Sequence, residues 1–197
     1  MPWPDPISLY GNAVTLVPLA HAHEADLAKA AADGDLHRLW YTTVPTPDKV
    51  RAEIDRRRDL QAKGSMLPFA VIDPASSRAV GMTTYMNIDA TNRRVEIGST
   101  WYAASVQRTG LNTECKYLLL RHAFEDIDCV GVEFRTHYLN TQSRRAIERL
   151  GPISTLIEWD DQIPPYARLV EEADQARSIL ARATQAARAR EAAHGAS

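Results

Sequence analysis

Residues 94–124 read RVEIGSTWYAASVQRTGLNTECKYLLLRHAF, and the fold turns on how this stretch divides. From Arg94 to Trp101, Val95, Ile97, Ser99 and Trp101 alternate with Glu96, Gly98 and Thr100, the period of a strand with two unlike faces. Gln107, Arg108, Thr109, Gly110, Leu111 and Asn112 interrupt that pattern as a polar turn. Beyond it Cys115, Leu118, Leu119, His122 and Ala123 recur at helical spacing, which predicts a helix from Asn112 to Phe124 with Asn112 as its N-cap. A strand that passes through a Gly-containing turn into a helix start suits an anion. The first backbone N–H groups of a helix have no partners there, and the helix dipole is positive. Arg108 adds a formal charge, and Gly110 lets the backbone approach a ligand. Read locally, the same turn also serves simply to cap a helix and bind nothing.

The flanking segments supply partners for this strand and helix. Residues 1–11 carry three prolines and read as an extended arm. Ala13 to Val17 is a short strand and Ala22 to Ala32 a helix ended by Asp33-Gly34. Thr46-Pro47-Asp48 opens a second helix that runs to Lys63, where Gly64 stops it, with Arg51, Asp55, Arg56 and Asp59 on its exposed face. Leu67 to Ile72 and Ala79 to Ile88 are strands joined by the turn Asp73 to Ser77, and Asp89 to Arg93 turns the chain into the strand quoted above. The helix then crosses over to a strand over Val130 to Thr136, with Val130, Val132 and Phe134 facing inward. Asn140 caps a further helix whose Ala146, Ile147 and Leu150 point inward and which Gly151 ends. The pattern is that of an α/β (α+β) protein: a mixed, mostly antiparallel central sheet flanked by helices.

The segment Gln107 to Asn112 resembles the pyrophosphate loop of the GNAT superfamily of acetyltransferases, usually Gln/Arg-x-x-Gly-x-Gly/Ala, although Asn112 stands where many relatives have a second small residue. Further pieces resemble the ribosomal-protein N-terminal acetyltransferase (RimJ/RimL-type) branch. They are Glu96-Ile97-Gly98 with Trp101, Asn112 to Lys116 with Leu118 to Phe124, Val132 to Thr136, and Asn140 to Ser143 with Ala146 to Gly151. The order and spacing hold from about residue 8 to Gly151. The resemblance implies an acetyl-CoA-dependent N-acetyltransferase that passes acetyl directly to a primary amine, either a protein N-terminus or a small molecule. It implies a cofactor site formed by Trp101, Tyr102, the loop residues Gln107, Arg108, Thr109, Gly110, Leu111 and Asn112, then Thr113 and Asn140. The backbone at Trp101 and Tyr102 would pair with the pantetheine arm as if it were a strand.

Acetyl transfer needs a base for the amine and an acid for the departing thiolate. Glu96 is the candidate base; a structural pairing with Arg94 or another cation is the alternative. Ser143, where relatives place a hydroxyl near the cofactor sulfur, is the candidate acid; it also fits an ordinary helix surface. Trp40 and Tyr41 lie where relatives shape the acceptor pocket, with core packing an equal alternative for Trp40. His122 and His137 have no metal-ligand partner at helical spacing, and no metal is expected.

After Gly151 the resemblance fails. Ile153 to Trp159 offers one strand in place of a hairpin, Pro164 and Pro165 follow, and Arg168 to Ala193 is an Ala- and Arg-rich helix. The expected division is an acetyltransferase domain over residues 8–159 and a helical tail over 160–197. A helix on the domain surface and a helix that pairs with a second copy in a homodimer are the two readings of the tail. The altered C-terminus also admits a catalytically impaired acetyl-CoA binder or a dimeric regulatory protein. A chain of 197 residues with 45 % hydrophobic content suits one domain with an appendage. The net charge of −2 gives no argument for nucleic-acid or membrane partners, and no Gly-x-x-x-x-Gly-Lys-Ser/Thr of a nucleotide kinase occurs. Cys115 and Cys129, without ligand spacing, fit buried reduced thiols, and the N-terminus lacks a signal-peptide pattern; both point to the cytoplasm.

Overall fold

The computed structural model describes residues 3–34, 36–38, 43–137, 139–148 and 166–194. The chain divides into two compact units, residues 1–137 and 138–197. In the first unit six strands stand in sequence order: β1 (Leu9–Tyr10), β2 (Thr15–Pro18), β3 (Met66–Asp73), β4 (Arg78–Asp89), β5 (Arg94–Tyr102) and β6 (Gly131–Glu133). Neighbours are antiparallel up to β5, and only β5 and β6 are parallel. The meander follows from its turns. Asp73 accepts bonds from the Ala75 N–H and the Ser76 hydroxyl between β3 and β4, and Asp89 accepts both the backbone and the side-chain amide of Asn92 between β4 and β5. The parallel step needs a crossover, which α3 (Leu111–Arg121) supplies.

The sheet is covered on both faces. On one, Leu16, Phe69, Val71, Tyr85, Val95 and Ile97 pack with Cys115, Leu118 and Leu119 of α3. On the other, Ala70, Ala79, Met82 and Trp101 pack with α1 (Glu24–Ala32) and α2 (Val50–Ala62) through Leu27, Ala30, Val50 and Ile54. Residues 66–71 of β3 are buried on both sides, so this central strand reads as a continuous apolar run instead of an alternating one. Both cysteines are free and buried.

Four sequence expectations change. Trp101 does not share a face with Val95 and Ile97: it lies in the opposite core layer. Two steps of β4, Met82 to Thr84, oppose three of β5, Gly98 to Trp101, and Ser99 takes φ 47°. The bulge shifts the alternation by one residue. Second, α3 begins at Leu111 with Gly110 in the cap position, and the Thr109 hydroxyl receives the Leu111 N–H. Asn112 does not cap, because its side-chain oxygen accepts the Tyr102 hydroxyl at 3.0 Å. Third, β6 is only three residues long and Val130 is 64 % exposed, while Val132 and Phe134 are partly buried against the core. Fourth, the N-terminal arm contributes β1, and α3 ends in a π-helical turn, His122–Asp126.

In the second unit α4 (Thr141–Glu148) is capped as the sequence implies, with Asn140 Oδ1 accepting the Ser143 N–H at 3.1 Å. The tail forms α5 (Tyr166–His194). Leu150, Gly151 and the Ile153 to Trp159 segment lie outside the described residues. No helix among the described residues is long and apolar enough to cross a membrane.

Candidate functional site

β5 loses its second partner halfway along. Its pairing with β6 covers Arg94↔Gly131, Val95↔Val132 and Glu96↔Glu133 and then stops, while its pairing with β4 continues to Tyr102. The two strands therefore form a fork whose crotch is at Glu96 and whose one prong is the bulged half of β5. The bulge is held from behind. Arg57 of α2, 1 % exposed, reaches through the layer and donates to Thr84 Oγ1 (2.7 Å) and to the Ser99 carbonyl (3.0 Å), with its Nε on Glu53 (2.6 Å). Past the bulge β4 and β5 come so close that a Cβ on Gly81 would meet the Trp101 carbonyl at 2.2 Å.

Glu96 is buried at the crotch. Asn87, at φ 48° on β4, donates to its Oε2 at 2.7 Å, and Arg135 Nε lies 3.4 Å from the same oxygen. Arg94 pairs with Glu133 instead. Oε1 stays clear of these contacts and lies beside Gly98, where a Cβ would come within 3.2 Å of it. A carboxylate with one oxygen anchored in this way is held in one orientation.

The polar turn closes the other end of β5. Gln107 Nε2 donates to the Tyr102 carbonyl, and Thr109 Oγ1 donates to Val106 and accepts from Leu111. Arg108 takes φ 62°, so the left-handed position falls on Arg108 and not on Gly110, whose absent Cβ would meet nothing within 4 Å. The first backbone bond into α3 is Glu114 N–H to Gly110, which leaves the Asn112 and Thr113 N–H groups outside the helical ladder. Glu114 receives the N–H groups of Asn12 and Ala13, which hold its carboxyl below its usual range and fix α3 to the β1–β2 turn. Burial pushes the Tyr102 phenol up, so it remains a donor to Asn112.

A phosphate-bearing ligand with a long amide arm fits these parts. The donors and the positive helix end at residues 107–113 suit the phosphates, and the edge of β5 beyond Glu96, unpaired among the described residues, suits the amides. The structure brings together Glu96, Trp101, Tyr102 and residues 107–113 on one strand–turn–helix. The Trp101 and Tyr102 side chains themselves belong to the two core layers, so only their backbone is available along β5. Trp101 Nε1, His37 Nδ1 and Thr46 Oγ1 are buried without a partner among the described residues. Trp40 and Tyr41 lie outside the described residues. Asn140 and half-buried Ser143 belong to the second unit. Sequence reading missed Asn87, Arg135 and Arg57. Only a charge on the apolar side of the second helix, at Arg57, signalled any of them.

The model of the acetyltransferase (GNAT) domain family matches residues 13–152. A crystallised GCN5-related N-acetyltransferase from Brucella melitensis is 30 % identical, with a TM-score of 0.67 over 76 % of this chain and 69 % of that one. The ribosomal L7/L12 α-N-protein acetyltransferase RimL superposes with a TM-score of 0.64 at 16 % identity, covering 73 % and 79 % of the two chains. The microcin C7 self-immunity acetyltransferase MccE, crystallised with acetyl-CoA and AMP, gives 0.62 at 16 % identity over 72 % and 79 %. At those identities only the fold is shared. A second family model, of RiPP precursor modification enzymes, matches residues 140–181. A UPF0276 protein of Anaeromyxobacter sp. is 52 % identical over 40 residues, 20 % of this chain and 14 % of that protein. The chain thus spans about a seventh of the length of that curated relative.

Proposed function

The chain belongs to the GNAT acetyltransferase family, and from that premise we propose that it is an acetyl-CoA-dependent N-acetyltransferase acting on a primary amine in the fork beside β5. The observation that carries this reading is the β5 edge, unpaired after Glu96 among the described residues and continuous with the open N-terminus of α3. Bound there, acetyl-CoA supplies the activated acetyl group as a thioester. The backbone of residues 107–113 and the Arg108 charge hold its phosphates, and the Trp101–Tyr102 backbone lines up its arm. Glu96 takes the amine's proton at Oε1, directly or through water, while Asn87 and Arg135 hold Oε2. Ser143 donates to the departing thiolate, and Asn140 bonds the arm as well as capping α4. Transfer is direct, without an acyl-enzyme.

Within the family our reading is the ribosomal-protein N-terminal acetyltransferase branch, on the motifs around Glu96, Asn112 and Asn140. The acceptor is then a protein N-terminus or a small-molecule amine, met in the cytoplasm, with Trp40 and Tyr41 shaping its pocket. The working domain covers residues 8–159 and the tail 160–197. Calorimetric titration with acetyl-CoA, beside a melt with and without it, tests the cofactor site, because a ligand of the native state must raise the melting temperature. Thiol release on an amine panel then tests the acceptor. Glu96→Gln is expected to lower kcat about a hundredfold; full turnover would remove Glu96 as the base.

The match of residues 140–181 to another enzyme family favours two further readings. In both readings the C-terminal segment departs from the hairpin with which relatives usually continue. An acetyl-CoA binder of impaired activity, or a regulatory homodimer joined through α5, would follow from this. Binding of acetyl-CoA without thiol release on any amine would select the former. Loss of a dimer on removing residues 166–197 would select the latter.

A further inference from the structure

Lys116 lies on the second turn of α3, and its ammonium reaches back to the sheet. Nζ donates to Thr100 Oγ1 at 3.2 Å and stands 5.4 Å from the centre of the Phe134 ring. Thr100 belongs to the half of β5 that has lost its second partner, and Phe134 follows directly on β6. The amine is therefore set between the prongs of the fork. Glu96 enters the fork from the opposite face of the sheet, since Val95 and Ile97 on either side of it face α3.

Among the described residues the ammonium is poorly served. It has three donors, of which one meets an oxygen. Among the described residues no carboxylate lies within ion-pair distance of it, although burial pushes its pKa down. Nor does Thr100 need it, because that hydroxyl already lies 2.8 Å from Thr83 Oγ1 and 3.3 Å from the Gly98 carbonyl. A half-buried cation with no counter-ion among the described residues costs stability, and an apolar chain of the same length would fill the space at less cost. Nothing in the packing of α3 calls for the charge. The group that calls for it belongs in the fork.

We propose that Lys116 is a cofactor contact, its ammonium donating to the carbonyl oxygens of the acetyl-pantetheine arm of acetyl-CoA. The proposal rests on the reading of the fork as the acetyl-CoA site. It divides the labour along one helix: the N-terminus of α3 takes the phosphates, and a side chain one turn on takes the arm. Polar amide carbonyls meet the two unserved donors, and the Thr100 and Phe134 contacts keep the amine in place before the arm arrives.

The test compares two ligands on three proteins by calorimetry, with a melt of each ligand-free protein. Coenzyme A carries phosphates and arm, whereas an adenosine bisphosphate carries phosphates alone. Lys116→Met is expected to weaken coenzyme A binding about tenfold to a hundredfold, to leave bisphosphate binding unchanged, and to raise the melting temperature of the free protein. Lys116→Gln, which keeps a donor, is expected to recover part of the coenzyme A affinity. Equal coenzyme A affinity in Lys116→Met and the natural chain overturns the proposal. So does a parallel loss of both ligands, which would mean a disturbed helix. A natural chain that binds neither ligand overturns the acetyl-CoA reading itself, a result distinct from the other two.

Discussion

Helices α3 and α5 sit in different units and are held by different forces. α3 has 11 residues and buries Leu111, Cys115, Leu118 and Leu119 in one core layer, with Glu114 tied to the β1–β2 turn. α5 has 29 residues, none of its described side chains is buried, and Val170 and Leu180 are each 38 % exposed. It is sustained locally, by Ala-rich sequence and by short-range pairs such as Arg168–Glu171 and Arg177–Asp174. The shorter helix is the better anchored. Length measures propensity, whereas anchoring measures the apolar area taken from water. That difference bears on the proposed function, in which the loop before α3 holds phosphates and Lys116 meets the arm, so that α3 must be rigid.

Four measurements would sharpen or break the contrast. The largest effect is expected behind the bulge, where Arg57→Met removes a buried guanidinium from Glu53, Thr84 and the Ser99 carbonyl. Denaturant unfolding should show a loss of about 3–5 kcal/mol; a loss under about 1 kcal/mol would mean that the bulge stands without it. Next, Leu119→Ala, at a fully buried site of α3, should cost about 2–5 kcal/mol. A near-neutral result there would place α3 with α5 among loosely held helices.

A pH effect should follow in size. Burial holds the pKa of His122, at the end of α3, below its usual 6.5, with Asp126 opposing. As pH falls, the unfolded chain takes up this proton first. The contribution of neutral His122 is therefore whole above 6.5 and is lost as pH falls through the lower folded value. The melting temperature should drop on acidification through that window, and His122→Phe should flatten the slope, leaving the part due to His23, which burial also lowers. An unchanged slope would exclude His122. The smallest effect is expected on the tail, where Leu180→Ala should change stability by less than about 0.5 kcal/mol. A larger loss would show that this face is covered in solution, as the homodimer reading requires.

The body of the fold was legible because its signals are local. Alternation marked β5, turn residues marked the meander, and helical spacing with the Gly-containing turn marked α3. Errors arose where a contact came from another element of the fold. Asn112 has the chemistry of a cap, but Tyr102 from the end of β5 claims its oxygen. Trp101 fits the alternation of Val95 and Ile97, yet the register of β4 inserts an extra residue at Ser99 and turns it to the other face. Glu96 was legible as a carboxylate on the central strand. Its partners were not, since Asn87 acts from β4 at a left-handed position and Arg135 from beyond β6.

By itself the sequence determined the strand–turn–helix around residues 94–124, the family to which it belongs, and the helical character of the tail. These rest on propensity, periodicity and motif spacing, which neighbouring residues carry. The tertiary structure alone decided where β5 loses its partner, which oxygen of Glu96 is left clear, what holds the bulge, and that the Lys116 ammonium lies between β5 and the segment after β6. Each depends on register and burial, which exist only once segments distant in the chain are packed together.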